Sequence, residues 1–164
     1  MKAALLVVDV QKEFFKDPAT ARSLNDAIEY INSAIALFRS KGLPVICVQH
    51  SDDVSNMVPG TDDFGLPDSL NVMASDIHIV KTYGNSFNKT PLAATLKKLG
   101  IDSVVISGYC AEYCVLSTYR GALDLDLKPM LLRNGLASGK PENIKFVENV
   151  NDIVSYGALK ALIE

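Results

Sequence analysis

The chain has 164 residues, of which 48% are hydrophobic and 21% are charged. This length and composition predict one globular domain over residues 1–164 and exclude a disordered segment. The formal net charge of −3 argues against a general affinity for nucleic acid or for acidic membranes.

Short apolar runs alternate along the chain with longer amphipathic stretches. Residues 3–8 form a continuous apolar run, which is typical of a strand buried on both faces. A helix follows and ends at Gly42 and Pro44. Its apolar residues recur at helical spacing: Leu24, Ala27, Ile28, Ile31, Ala34, Ile35 and Phe38.

Four further strands and three further helical stretches continue this alternation. The strands are predicted at residues 44–48, 77–80, 104–106 and 129–132. One helix begins near Pro91 and stops at Gly100, and a second covers residues 113–125. Residues 141–164 are predicted to be mostly helical, with a break near Ile153 and a helix cap at Ser155. Residues 51–75 show little periodicity and are predicted to form a long loop.

The alternation predicts an α/β fold of three layers, doubly wound, in which a mostly parallel sheet of about five or six strands carries helices on both faces. Ligands bind to such sheets outside the carboxyl ends of the strands. The polar side chains that follow the predicted strands are Asp9, Gln49, His50, Lys81, Cys114, Arg133 and Asn134. An acid, a base and a thiol therefore converge on one edge of the sheet.

Cys114 lies near the start of the helix predicted at residues 113–125. A helix N-terminus and a nearby lysine both lower the pKa of a thiol, and the thiolate is the nucleophile. Asp9 could take the proton, and Lys81 could hold Asp9 ionised, which is the general logic of covalent catalysis. Each residue taken alone also has a structural interpretation, as a packed cysteine, a turn-forming aspartate or a solvated lysine. The spacing by itself leaves both interpretations open.

The cysteines and the apolar segments bear on where the protein resides. The chain has three cysteines, Cys47, Cys110 and Cys114, and a number this small and odd predicts a reducing, cytoplasmic location. Asp9 interrupts the apolar start of the chain too early for a secretory signal. No other run approaches the roughly 20 residues of a membrane span.

Three segments together resemble a known family. They are residues 5–11 (LLVVDVQ), residues 81–87 (KTYGNSF) and residues 107–115 (SGYCAEYCV). In this order they resemble the first-strand, lysine and nucleophile motifs of the isochorismatase-like cysteine hydrolases, which include nicotinamidases, carbamoylsarcosine amidases and ureidoacrylate hydrolases. The resemblance covers nearly the whole chain.

The resemblance implies a catalytic triad of Asp9, Lys81 and Cys114. It also implies a non-proline cis peptide bond between Tyr109 and Cys110. In this arrangement the backbone N–H groups of Cys110 and Cys114 would point at a developing oxyanion, and such a donor is typically worth about 2.7–4 kcal/mol in the transition state.

The metal site of the family's nicotinamidases has no counterpart in this sequence. The position after the second strand reads QHSDD over residues 49–53, which lacks the Asp and His cluster, and Asp52 and Asp53 are interpreted as a solvated loop pair. No metal and no cofactor are therefore expected. His50 either closes the strand end with a hydrogen bond or touches a substrate.

The predicted function is hydrolysis of a C–N bond, an amide or ureido group, in a small molecule through a thioester intermediate. The aromatic residues predicted to line the substrate pocket are Phe14, Tyr83, Phe87 and Tyr113. Two alternatives remain open, namely a catalytically idle binding or regulatory module and a thiol redox protein that uses Cys110 and Cys114. The expected partners are a small-molecule substrate and further copies of the chain, in a two-fold dimer or a higher assembly.

Overall fold

A computed structural model describes residues 1–163, and within them it shows six strands and five α-helices. The strands are β1 (Ala3–Val8), β2 (Val45–His50), β3 (Ile77–Lys81), β4 (Ser103–Tyr109), β5 (Lys128–Ala137) and β6 (Ile153–Val154). The helices are α1 (Pro18–Ser40), α2 (Leu92–Leu99), α3 (Leu116–Asp124), α4 (Pro141–Asn149) and α5 (Tyr156–Leu162). Residue 164, which the sequence placed in the last helix, lies outside the described residues.

The six strands form one parallel sheet in the order β3-β2-β1-β4-β5-β6. The chain winds outward from β1 through β2 to β3, returns to the far side of β1 and winds outward again. This is the doubly wound topology that the alternation predicted. The winding direction reverses between β1 and β4, and ligands bind to such sheets in the crevice at this point.

Helices cover both faces of the sheet, so the predicted three layers are confirmed. Alternate residues of β1 enter different cores: Ala3, Leu5 and Val7 belong to the apolar cluster that includes residues of α1 and α5. Ala4 and Leu6 belong to the cluster formed with α2, α3 and α4. Because β1 is buried on both faces, it reads as a continuous apolar run.

Specific residues define both ends of helix α1. The Asp17 carboxylate accepts a hydrogen bond from the Thr20 backbone N–H at 2.9 Å, and Pro18 occupies the first helical position. Beyond the other end, Gly42 adopts a φ of +63°, which suits a residue without a Cβ. None of the helices among residues 1–163 is long and apolar enough to cross a membrane.

Several expected element boundaries are wrong. Gln49 and His50 belong to β2, and Lys81 belongs to β3, although they were expected to follow these strands. Strand β5 continues through Arg133 and Asn134, which were expected to follow it, because the β4–β5 register shifts and Asn134 takes a φ of +64°. The helix expected over residues 113–125 is instead a π-helical turn, Ala111–Val115, followed by α3. Residues 51–75 contain no helix or named strand, as predicted.

Candidate functional site

Asp9 lies directly after β1, at the point where the sheet reverses its winding. Its backbone has a φ of +53°, and its N–H donates to the Val48 carbonyl at 2.9 Å. The neighbouring strand approaches closely here because Gly108 has no side chain, and a Cβ on it would lie 2.1 Å from the Val8 carbonyl oxygen. Close packing of β1 against β4 therefore brings Asp9 beside the segment that carries Cys114.

Lys81 is the last residue of β3, and its ammonium group is the centre of the site. The side chain is buried. Its Nζ donates to Asp9 Oδ2 and to His50 Nδ1, both at 3.0 Å, and to Cys114 Sγ at 3.4 Å. An ammonium group has three N–H donors, so each of them has a partner. Side chains from the carboxyl ends of three strands and from the segment after β4 therefore meet at this one nitrogen.

Cys114 is presented by the π-helical turn that joins β4 to α3. The peptide bond between Tyr109 and Cys110 is cis, at the position that the resemblance implied. Cys47 and Cys110 are buried, whereas Cys114 is only partly buried. Cys110 Sγ faces Ser138 Oγ at 3.9 Å and so has a partner outside the group around Lys81.

Burial has the largest effect on the pKa values of Asp9 and Cys114. It raises the pKa of Asp9 although Lys81 opposes the shift. Burial, together with the nearby Asp9 carboxylate, also raises the pKa of Cys114 to about 12 although Lys81 lowers it. The expectation of a lowered thiol pKa is therefore wrong. The helical segment begins at Ala111, three residues before Cys114, and the lysine does not offset the loss of water.

These shifts indicate that burial opposes ionisation of both Asp9 and Cys114. One ammonium group can balance one buried anion, so removal of a second proton is opposed by both burial and repulsion. One carboxylate oxygen, Asp9 Oδ1, is buried with no hydrogen-bond partner among the described residues. An unpartnered carboxylate oxygen beside a protonated thiol is the arrangement of a base and its proton donor.

His50 belongs to the same group, a position that the sequence left undecided. Because Lys81 donates to its Nδ1, the ring proton must lie on Nε2. Burial and the neighbouring ammonium group lower the pKa of His50 below 6.5. The ring is therefore neutral at pH 7, with Nδ1 as acceptor and Nε2 as donor.

Gln11, which the sequence analysis quoted only as part of a motif, fixes His50 in place. Its side chain accepts from the His50 N–H at 2.8 Å and donates to the His50 carbonyl at 3.0 Å. It also donates to the Phe64 carbonyl at 3.0 Å. Gln11 thereby connects residues 51–75 to the end of β2. Its position directly after Asp9 and Val10 was the feature of the sequence that could have identified it as a site residue.

A cavity of about 390 Å³ opens onto this group of residues. Its lining residues are Asp9, Glu13, Phe14, His50, Asp52, Ser55, Met57, Tyr109, Cys110, Tyr113 and Cys114. The rings of Phe14 and Tyr109 pack against each other with centroids 4.6 Å apart and form an aromatic wall. The volume suits a small molecule.

Two of the four predicted pocket residues, Phe14 and Tyr113, line the cavity, and two do not. Phe87 packs against the apolar core beneath α2 and α3. Tyr83 is 42% exposed and has the Lys89 ammonium 5.1 Å from its ring centre. Tyr83 and Phe87 were wrong choices because a nearby sequence position does not fix which way a ring points.

No group of three or more His, Cys, Asp or Glu side chains within residues 1–163 is arranged to hold a metal ion. Asp52 is not a purely solvated loop residue as expected, since it borders the cavity.

Comparison with known proteins identifies relatives over most of the chain. The model of the isochorismatase domain matches residues 3–150. The isochorismatase family protein YrdC of Bacillus subtilis is 33% identical over 139 residues, which cover 84% of this chain and 74% of that protein.

Solved structures agree with this match. An isochorismatase-like hydrolase from Alkaliphilus metalliredigens superposes with a TM-score of 0.91 over 100% of both chains, and its 24% identity supports the fold alone. N-carbamoylsarcosine amidase from Thermoplasma acidophilum is 27% identical, with a TM-score of 0.81 over 94% of this chain and 95% of that one.

Proposed function

The chain belongs to the isochorismatase family and is a hydrolase of that type, and from this premise we propose that it cleaves a C–N bond of a small molecule with Cys114 as nucleophile. The bond belongs to an amide or ureido group, and the intermediate is a thioester. The observation that carries the proposal is the position of the buried Lys81 ammonium between Asp9, 3.0 Å away, and Cys114, 3.4 Å away, two residues that line the cavity. The amidase among the structural relatives supports the choice of bond.

The first step is attack by Cys114 on the substrate carbonyl carbon. With a pKa of about 12, formation of a free thiolate at pH 7 costs on the order of 7 kcal/mol. Transfer of the thiol proton to Asp9 as the Sγ–C bond forms avoids this cost, because it also removes the carboxylate charge that opposes the thiolate. Asp9 is thus the general base, and its unpartnered Oδ1 is the acceptor.

The tetrahedral intermediate then collapses with loss of the amine. Its oxyanion is held by the backbone N–H groups of Cys110 and Cys114, as the family resemblance implies. The C–N bond breaks, and Asp9 returns its proton to the leaving nitrogen. The products of this half-reaction are a thioester on Cys114 and a free amine or ammonia.

Water completes the cycle. Asp9, again ionised, takes a proton from a water molecule as its oxygen attacks the thioester carbonyl. The C–S bond breaks, the thiolate recovers the proton from Asp9, and the acid product leaves. The Lys81 ammonium group balances the one negative charge that moves between carboxylate and sulfur. His50 and Asp9 hold Lys81 in position through two of its three donors.

An amide and ureide panel, read as released ammonia or amine, tests the proposal. Turnover of at least one compound should disappear in Cys114→Ala and persist in Cys47→Ala, which removes a buried thiol elsewhere in the sheet. Folding of both variants is checked by circular dichroism. Turnover that survives in Cys114→Ala would overturn the assignment of the nucleophile. A reversible loss of two hydrogens after mild peroxide, without any turnover, would favour the redox alternative.

A further inference from the structure

The loop that borders the cavity carries charge of one sign. Residues 51–75 contain five aspartates and neither lysine nor arginine: Asp52, Asp53, Asp62, Asp63 and Asp68. The loop reaches the cavity through Asp52, Ser55 and Met57, and Glu13 also lines it. Besides Asp9, which pairs with Lys81, the cavity is therefore lined by two carboxylates, those of Asp52 and Glu13.

Neither carboxylate is fully neutralised by its neighbours. Hydrogen bonds from Ser55 and from the Val54 backbone N–H lower the pKa of Asp52, so it is ionised at neutral pH. Asp52 forms no ion pair with any residue in the described part of the chain. Glu13 pairs with Lys16, but Lys16 also pairs with Asp63 at 2.7 Å, so these three side chains sum to one negative charge.

The cavity offers no cation to a bound anion. Its lining residues, all of them described, include neither lysine nor arginine. The one ammonium group nearby, that of Lys81, is buried, and its three donors already have partners. Carboxylate recognition in proteins relies on such groups, above all on the two-pronged guanidinium of arginine.

We propose that the substrate is an amide or ureide whose non-reacting end is uncharged or cationic, and not one that bears a carboxylate. The aromatic wall of Phe14 and Tyr109 and the neighbouring Met57 give that end an apolar surface, and the carboxylates of Asp52 and Glu13 line the same cavity. This inference rests on the proposed function. It excludes N-carbamoylsarcosine as a substrate of this chain, because that amino-acid derivative, which appears in the name of one structural relative, bears a carboxylate.

Two alkylating reagents of equal size test the charge of the cavity without requiring hydrolysis. Iodoacetamide is neutral and iodoacetate is anionic, and both alkylate thiols. The rate ratio of the two reagents at Cys114, measured by peptide mapping, is divided by the same ratio for 2-mercaptoethanol, a thiol without a charged substituent. In a water-like medium a unit charge about 6 Å from the anionic reagent changes its rate by about threefold, so two such carboxylates should make Cys114 favour iodoacetamide by a further factor of about ten. Added salt should reduce this factor.

The double variant Asp52→Asn with Glu13→Gln should abolish most of that preference. Asp124→Asn with Asp126→Asn, at exposed residues at the end of α3 and just after it, removes the same two units of charge away from the cavity and should leave the ratio unchanged. A ratio at Cys114 equal to that of 2-mercaptoethanol, a preference for iodoacetate, or a ratio that the double variant does not alter would overturn the inference.

Hydrolysis of three matched amides then separates this inference from the proposed function. The amides are butyramide, which is neutral, 3-aminopropionamide, which is cationic, and succinamate, which is anionic. Cys114-dependent hydrolysis that is fastest for succinamate would overturn the inference and leave the proposed function intact. If Cys114 favours iodoacetamide as expected but no amide or ureide is hydrolysed above the Cys114→Ala background, the proposed function fails and the charge preference of the cavity stands.

Discussion

Replacement of Lys81 with methionine should destabilise the fold strongly, because it leaves the Asp9 carboxylate alone in the interior. The two side chains are 0% and 2% exposed, and their charged atoms lie 3.0 Å apart. At an effective dielectric constant of about 20, unit charges at this distance attract by about 5.5 kcal/mol. Removal of one partner from a buried pair typically costs about 3–5 kcal/mol. We expect Lys81→Met to lower the free energy of unfolding by this amount at pH 7.

Urea denaturation followed by far-ultraviolet circular dichroism measures the loss. With a slope of about 2 kcal/mol per molar urea, the midpoint should fall by roughly 1.5–2.5 M. Asp9→Asn should also destabilise, and the double variant should lose at least about 2 kcal/mol less than the sum of the two single losses. Lys12→Met is the matched control, because Lys12 pairs with Asp62 at the surface. It should cost no more than about 1 kcal/mol.

The loss of stability in Lys81→Met should depend on pH in a definite direction. Burial raises the pKa of Asp9, and Lys81 opposes that shift, so the pKa should rise further in Lys81→Met. A carboxyl with a raised pKa in the folded state stabilises below its unfolded pKa, and this stabilisation is lost as pH rises through the folded value. The deficit of Lys81→Met should therefore be smaller at pH 5 than at pH 8. Strictly additive losses of unfolding free energy in Lys81→Met and Asp9→Asn, or a loss below about 1 kcal/mol in Lys81→Met, would refute this account of the ion pair.

Three further outcomes are expected. Protonation of His50, whose pKa is lowered from 6.5, converts its Nδ1 from acceptor to donor against Lys81, so kcat/KM should fall as the pH drops below 6.5. In His50→Asn this fall of kcat/KM at low pH should be shallower, and an unchanged fall would count against the role of the ring. Exhaustive chelation should leave turnover intact, whereas recovery of lost activity by added Zn²⁺ or Mn²⁺ would show that a metal is required. Light scattering at micromolar concentration should give a mass of at least twice the chain's 17.8 kDa, and a mass equal to it would exclude self-association.

The fold could be predicted from the sequence because strands that are buried on both faces have a simple sequence pattern. A strand such as β1 has no solvent-facing positions, so it appears as an uninterrupted apolar run. Strands and helices in alternation then permit few topologies. The extension of β5 past Leu132 could not be predicted in this way, because the register shift against β4 and the positive φ of Asn134 depend on tertiary pairing.

The candidate site was predictable in its position and less so in its electrostatics. Asp9 directly follows the buried strand β1 and Lys81 ends the edge strand β3; each comes after an apolar run that is visible in the sequence, and the sheet brings them together. The raised pKa of Cys114 was not predictable, since it depends on how much water the folded chain excludes from the sulfur. The contact of His50 with Lys81 likewise depends on β2 lying between β1 and β3.

Acylation of Cys114 is the measurement that tests the central claim most directly. The protein is mixed with p-nitrophenyl acetate, an activated acyl donor, quenched in acid within the first turnover, digested and mapped by mass spectrometry. The account predicts one acetyl group on the peptide that contains Cys114, removed by hydroxylamine, absent in Cys114→Ala and formed about 10²–10⁴-fold more slowly in Asp9→Asn. An acetyl group on Cys110 instead, or a release of p-nitrophenol that is as fast in Cys114→Ala, would contradict it.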